Sequence, residues 1–309
     1  MASKKTLNAK NLEALGAERL AELLIEISTG DGAAKRRLRL ELAGAAGPAE
    51  VAREVRKRLA TVGRSRTFVD WQKRKALVDD LQNQRAAILE KVAPQDPGEA
   101  LDLMWRFLAI ADSVLERCDD SSGLVYEIFR FACEDLGEIA KAGKPDPATL
   151  ADRAFNVLME NRYGLYNRLI AVLSPALGRE GLEHLKRRVL ALSKESLPKA
   201  RKKVQLIAGW DLGNRDYRDE ILESSRASTV RLALQAIADA QGDVDAFIAQ
   251  YDEKTRKVPR IAADIVQRLL AVGRVEDAWS TIEATEHGRR DWPDFEWEDA
   301  RIDVLEALG

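Results

Sequence analysis

Glycine placement constrains this chain more than any other feature. In the second half, glycines stand at 143, 178, 213, 242, 273 and 309, with spacings of 35, 35, 29, 31 and 36 residues. Each of the first five closes one apolar-periodic segment and precedes another. Glycine most readily takes the left-handed conformation in which helices end. A turn recurring at about 34 residues is what a chain of helix pairs needs, because neither helix of a pair buries its apolar stripe alone. The series predicts an all-α fold, an α-solenoid of stacked antiparallel helix pairs. Chance spacing of helix-ending glycines is the alternative. If Gly309 belongs to the series its second helix is missing, so the chain reads as a fragment truncated at the C-terminus, closing on an exposed helix face.

The front half has its own periodicity. Leu12, Leu15, Leu20, Leu23, Leu24 and Ile27 predict one helix over about 9–28. Asp31 is positioned to cap a second, over about 33–44, with Leu38 and Leu42 inward. Pro48 suits the first turn of a third, whose buried stripe is Val51, Val55, Leu59 and Val62. Phe68, Trp71, Val78, Leu81, Ile88 and Val92 form a near-heptad seam over about 67–92. Further helices are expected over about 97–117, capped by Asp96, and about 123–142. The expected division is a basic helical array, 1–142, and degenerate repeats, 143–309.

Hydrophobic residues make up 46% of the chain and charged residues 32%, a balance that excludes general disorder. Two cysteines, Cys118 and Cys133, make no disulfide framework. The N-terminus lacks the apolar core of a signal peptide, and no run approaches the roughly 20 apolar residues of a membrane helix. A cytoplasmic protein without membrane association is expected.

Several segments together carry a resemblance. They are Leu12-Glu13-Ala14-Leu15-Gly16, Lys35 through Leu42, Phe68 through Lys75, Asp102-Leu103-Met104-Trp105-Arg106-Phe107 and Arg117 through Gly123. With these the chain resembles, over most of its length, a family of bacterial proteins defined only as a domain of unknown function. That resemblance implies no activity. The back half is also similar to tetratricopeptide-type repeats, with the small and aromatic positions of that motif partly filled. Both resemblances imply a HEAT/TPR-like solenoid, and the second implies protein binding by analogy.

Charge is unevenly spread. Residues 1–75 hold 17 Lys and Arg against 9 Asp and Glu, whereas the whole chain carries −2. Lys35, Arg36, Arg37, Arg39, Arg53, Arg56, Lys57, Arg58, Arg64, Arg66, Lys73, Arg74 and Lys75 form the cluster. Aligned on one face they would make a stripe for nucleic acid or another polyanion, binding in a salt-dependent way. Glu41, Glu50, Glu54 and Asp70 lie among them, so a solvated, salt-bridged surface is the other reading.

Candidate partner-binding residues are Asn161, Arg162, Tyr163, Tyr166 and Arg168, read as a wedge at the junction of the two halves, and Trp292 and Trp297 near the end. His184 and His287 each follow a Glu by one turn. Leu182, Leu185 and Val189 as the inward stripe leave His184 outward, and no metal site is expected. Asp119 and Asp120 beside Cys118 would raise its thiol pKa. No Walker loop, dinucleotide fingerprint, nucleophile elbow or zinc-protease helix is present, and no cofactor is expected. The sequence favours a non-enzymatic helical-repeat scaffold for protein–protein interaction. Polyanion binding through the basic N-terminal helices comes second, and an enzyme of unnamed reaction third.

Overall fold

In the computed structural model the described residues are 6–194, 215–285 and 294–309, with side chains from 226 onward in the second stretch, and they are all-α. No strand occurs among them; one isolated parallel bridge joins Val69 and Cys118. No helix among them is long and apolar enough to cross a membrane. The chain divides into two compact units, Met1–Pro145 and Asp146–Gly309.

The first unit opens with α1 (Ala9–Glu13) and α2 (Ala17–Ser28). The single helix expected here is broken at Gly16, whose φ of 83° no helix accommodates. Then come α3 (Gly32–Ala46), α4 (Pro48–Arg64) and α5 (Trp71–Ala87). Asp31 caps α3 by accepting from the Ala33 and Ala34 amides, which hold its carboxyl below the usual range. The α4 stripe is buried as expected.

The expected seam of α5 fails at its start. The Val69–Cys118 bridge keeps the preceding chain extended, and Asp70 caps the helix through the Gln72 and Lys73 amides. Phe68 and Trp71 are therefore left 60% and 66% exposed, while Leu81 and Ile88 are buried. A π-helical turn, Ile88–Val92, follows; the Ala93 amide donates to Ile88 O at 2.9 Å. The expected 97–117 helix is two, α6 (Pro97–Ala109) and α7 (Ala111–Leu115), and Asp96 caps the first through the Glu99 amide. α8 (Leu124–Gly143) completes the unit. Phe107 of α6 and Phe129 of α8 meet in the core, ring centroids 5.2 Å apart.

In the second unit α9 (Pro147–Met159) packs on α10 (Leu169–Lys194), and α10 on α11 (Arg215–Gln241). Short helices α12 (Val244–Ile248) and α13 (Glu253–Arg256) lead to α14 (Pro259–Ala271), which packs with α15 (Val275–Glu283) and α16 (Phe295–Leu308). Phe247, Ile265, Val266, Leu269, Ile282, Trp297 and Val304 form the core there.

The glycine series divides under inspection. Gly178, Gly242, Gly273 and Gly309 have positive φ, as turn glycines should. Gly143 does not: Lys144 takes the left-handed position, φ 45°, and a Cβ on Gly143 would stand 3.3 Å from the Pro97 carbonyl oxygen. Gly213 lies outside the described residues. Gly178 kinks α10 with φ 55° and ψ −167°, a region essentially reserved for glycine. Gly178→Ala is expected to cost about 1–3 kcal/mol, read by urea titration.

Candidate anion-binding cleft

The side chains that matter sit one helical turn apart on three neighbouring helices. The buried face of α3 is Leu40 and Ala43, not Leu38 and Leu42; Leu42 is 72% exposed. One turn before Leu40 on this face is Arg36, which is thereby turned toward Asp80 of α5. On α4 the buried stripe leaves Glu54, Lys57, Arg58 and Thr61 along its flank. On α5, Asp80 and Gln84 stand at i and i+4 beside Leu81, both buried. Arg36, Arg39, Leu40, Glu54, Lys57, Arg58, Thr61 and Gln84 line a cleft of about 120 Å³.

Asp80 organises the floor. It accepts from Arg58 Nε at 2.7 Å and from Arg58 Nη2, and Arg36 Nε lies 3.6 Å from its other oxygen. One carboxylate, only 6% exposed, thus fixes the Arg58 guanidinium through two nitrogens and has that of Arg36 within ion-pair distance. Arg39 and Lys57 are exposed and make no ion pair among the described residues. Two enclosed atoms, Arg36 Nε and Gln84 Oε1, have no hydrogen-bond partner among the described residues. Asp80 and Gln84 escaped sequence reasoning; their one signal is a polar pair at i, i+4 inside an apolar seam.

The rest of the basic cluster is dispersed. Arg53 pairs with Glu50, Arg56 with Glu99, and Lys73 with Asp70 at 3.6 Å. Arg74 donates to Asp119 O at 2.8 Å and Arg64 to Ala60 O at 3.0 Å. Lys35, Arg37, Arg66 and Lys75 are exposed without an ion pair among the described residues.

In the second unit, the 161–168 segment connects α9 to α10 and so lies inside that unit, not at the boundary near residue 145. Its polarity serves the turn: Asn161 Oδ1 accepts from the Tyr166 amide and Asn161 Nδ2 donates to Asn167 Oδ1. Tyr166 is buried, whereas Arg162, Tyr163 and Arg168 are exposed. Trp297, a candidate partner-binding residue in the sequence, is core at 5% exposure, packed among α14, α15 and α16. Trp292 and His287 lie outside the described residues.

His184 is half-buried rather than outward, because Asp152 on α9 meets it across the helix pair, Nε2 to Oδ1 at 2.7 Å. Arg188 donates to the same oxygen at 2.6 Å and covers the Phe155 ring. The His184 hydrogen bond, then that of Arg188, holds the Asp152 carboxyl below its ordinary value of 3.8. A depressed carboxylate stabilises the fold above its unfolded pKa and loses that contribution as pH falls through the folded value. Below about pH 4 the native chain is therefore expected to lose stability more steeply than Asp152→Asn in acid-titrated urea unfolding.

Cys118 and Cys133 are buried free thiols. Burial first, and Asp120 second, pushes the Cys118 thiol up. No cluster of three or more His, Cys, Asp or Glu suited to a metal occurs among the described residues.

No curated protein and no solved structure matches the chain. A family model does, over residues 2–309, that of a family of unknown function, DUF6880. The match spans both units, the basic cleft and the glycine-punctuated helices alike, and the chain belongs to that family.

Proposed function

We propose that this chain is a non-enzymatic helical binding scaffold whose N-terminal unit takes a phosphate-bearing anion in the α3–α4–α5 cleft. The supporting observation is the convergence of Arg36, Arg39, Lys57 and Arg58 on one cleft, Arg58 fixed by a buried carboxylate that Arg36 also approaches. Cations ordered beforehand lose less side-chain freedom on binding, and guanidinium groups match phosphate oxygens in bidentate geometry. Nucleic acid is one carrier of such phosphates. A continuous stripe along residues 35–75 has less support, because Arg53, Arg56, Lys73 and Arg74 are engaged within the chain. The non-enzymatic part rests on the absence of catalytic motifs from the sequence. The HEAT/TPR-like arrangement belongs to the same proposal, supported by the succession of chain neighbours packed from α9 to α12. So does a reducing, cytoplasmic setting, which two free buried thiols fit.

Calorimetric titration with pyrophosphate at low ionic strength tests the anion reading. Arg39→Ala/Lys57→Ala, which removes two exposed side chains, is expected to weaken binding by at least about tenfold. No binding to the native chain, or equal binding to the variant, overturns the reading.

A protein partner is a second reading, favoured by apolar side chains left on helix surfaces: Leu24, Ile25 and Ile27 of α2, and Ile302, Leu305 and Leu308 of α16. A complex that survives high salt but is lost in Ile302→Glu/Leu305→Glu would support it; a complex indifferent to that change would remove the α16 face from consideration.

A further inference from the structure

We infer that the connection from α4 to α5, with the first turn of α5, binds single-stranded nucleic acid: bases stack on Phe68 and Trp71, and Arg66 and Lys75 hold the phosphates. This surface shares no lining residue with the α3–α4–α5 cleft, and the inference stands without the anion reading above.

The rings come first. Phe68 and Trp71 are 60% and 66% exposed, although tryptophan is highly buried on average. Apolar side chains scattered singly on a surface are ordinary; two large aromatic rings three residues apart are not scattered. Three residues of chain span at most about 11 Å, the length of roughly three bases stacked at 3.4 Å. One strand can therefore meet both rings.

The backbone that carries them is fastened on either side. The Val69 amide donates to Arg117 O at 2.8 Å, and the Asp119 amide donates to Val69 O at 3.0 Å. Arg117 Nη1 donates to Thr67 O at 3.2 Å and its Nη2 to Val62 O at 3.1 Å. Asp70 accepts from the Gln72 and Lys73 amides, both at 3.0 Å. A platform ordered beforehand loses less freedom when a ligand settles on it.

Charge selects the ligand. Residues 64–75 hold five cations, Arg64, Arg66, Lys73, Arg74 and Lys75, against one acid, Asp70. Lys73 is 3.6 Å from Asp70, and Arg74 donates to Asp119 O. Arg66 and Lys75 are exposed and make no ion pair among the described residues. Asp119 and Asp120, on the segment joined to Val69, are occupied by the Ser121, Val125 and Tyr126 amides. A base offers a π-face to each ring and a phosphate offers charge to each cation, the pairing by which single strands are held without regard to sequence. A duplex keeps its base faces stacked on one another, and a base-free polyanion has none.

Fluorescence anisotropy of a short labelled oligothymidylate, at low ionic strength, tests this on the full chain. The native chain is expected to bind it and to bind an abasic strand of the same length at least fivefold more weakly. Trp71→Ala and Phe68→Ala should each weaken oligothymidylate binding by at least about fivefold, while Trp71→Phe, which keeps a stacking face, retains most of it. Both side chains are exposed, so these variants should melt with the native chain. Arg66→Ala/Lys75→Ala should flatten the dependence of log K on log salt by about 1.4, two contacts at ~0.7 each. Equal binding of the abasic strand, native affinity in the Phe68 and Trp71 variants, or no binding at low salt overturns the inference. If Arg39→Ala/Lys57→Ala abolishes binding and Trp71→Ala does not, the strand sits in the cleft, so this inference falls and the anion reading stands. Capture by anionic lipid vesicles, lost in Trp71→Ala, with no binding of the strand would make this a membrane-facing surface and overturn the inference as well.

Discussion

Asp80→Ala is expected to lower the unfolding free energy by roughly 2–4 kcal/mol, measured by urea titration. The carboxylate is almost fully enclosed and holds Arg58 through two nitrogens, with Arg36 on its other oxygen. Removing it leaves the half-buried guanidinium groups of Arg58 and Arg36 without that counter-charge. Breaking a buried pair from one side is costlier than never having built it, because the surviving charge stays desolvated. Asp80→Asn keeps the shape and an acceptor but not the charge, and is expected to recover little of the loss. A change under about 0.5 kcal/mol, the ordinary range for surface substitutions, would mean that the arginines find solvent at once and that Asp80 does not order them.

Phe107→Ala should cost about 3–5 kcal/mol, the range for removing a large aromatic from a packed core. Phe107 is wholly buried and tilted against Phe129, and its neighbours Leu103, Met104 and Leu108 on α6 are enclosed as well. Rigid helices on both sides limit how far the space can collapse, which favours the upper part of the range. Phe107→Leu keeps most of the volume and should lose far less. Similar losses for the two variants would contradict tight packing at the α6–α8 contact.

These two sites differ in how visible they are in the sequence. The helix that carries Phe107, the α4 stripe and the caps at Asp31 and Asp96 follow from the sequence, because local chemistry decides them; Phe107 itself is enclosed because α6 buries more of its circumference than a single stripe. Asp80 and Gln84 are set by what lies across from them: Arg36 arrives from α3 only because that helix buries Leu40 and Ala43 rather than Leu42. Amphipathic period alone could not choose between those faces, since leucines occupy both. Phe68 and Trp71 were misread for a related reason. Their seam spacing is correct, but the Val69–Cys118 bridge, a contact distant in sequence, keeps the chain extended up to Asp70, so the helix begins only at Trp71 and leaves Phe68 outside it. Trp297 reads as a partner-binding aromatic in the sequence because its packing partners, on α14 and α15, precede it by many residues. Gly143 shared the spacing of the turn glycines, yet its lack of a side chain relates to the close approach of Pro97, while Lys144 makes the turn.

The most direct test of the anion cleft is a side-chain spectrum of the native chain. Arginine Nε–Hε resonances, assigned by single substitutions, are followed by nuclear magnetic resonance as pyrophosphate is added. Shifts that saturate together at Arg36, Arg39 and Arg58, with Arg53, Arg106 and Arg130 unmoved, are the predicted result. Saturable shifts at those outer arginines with none at Arg36, Arg39 and Arg58 would contradict the account, as would no shift at any of them.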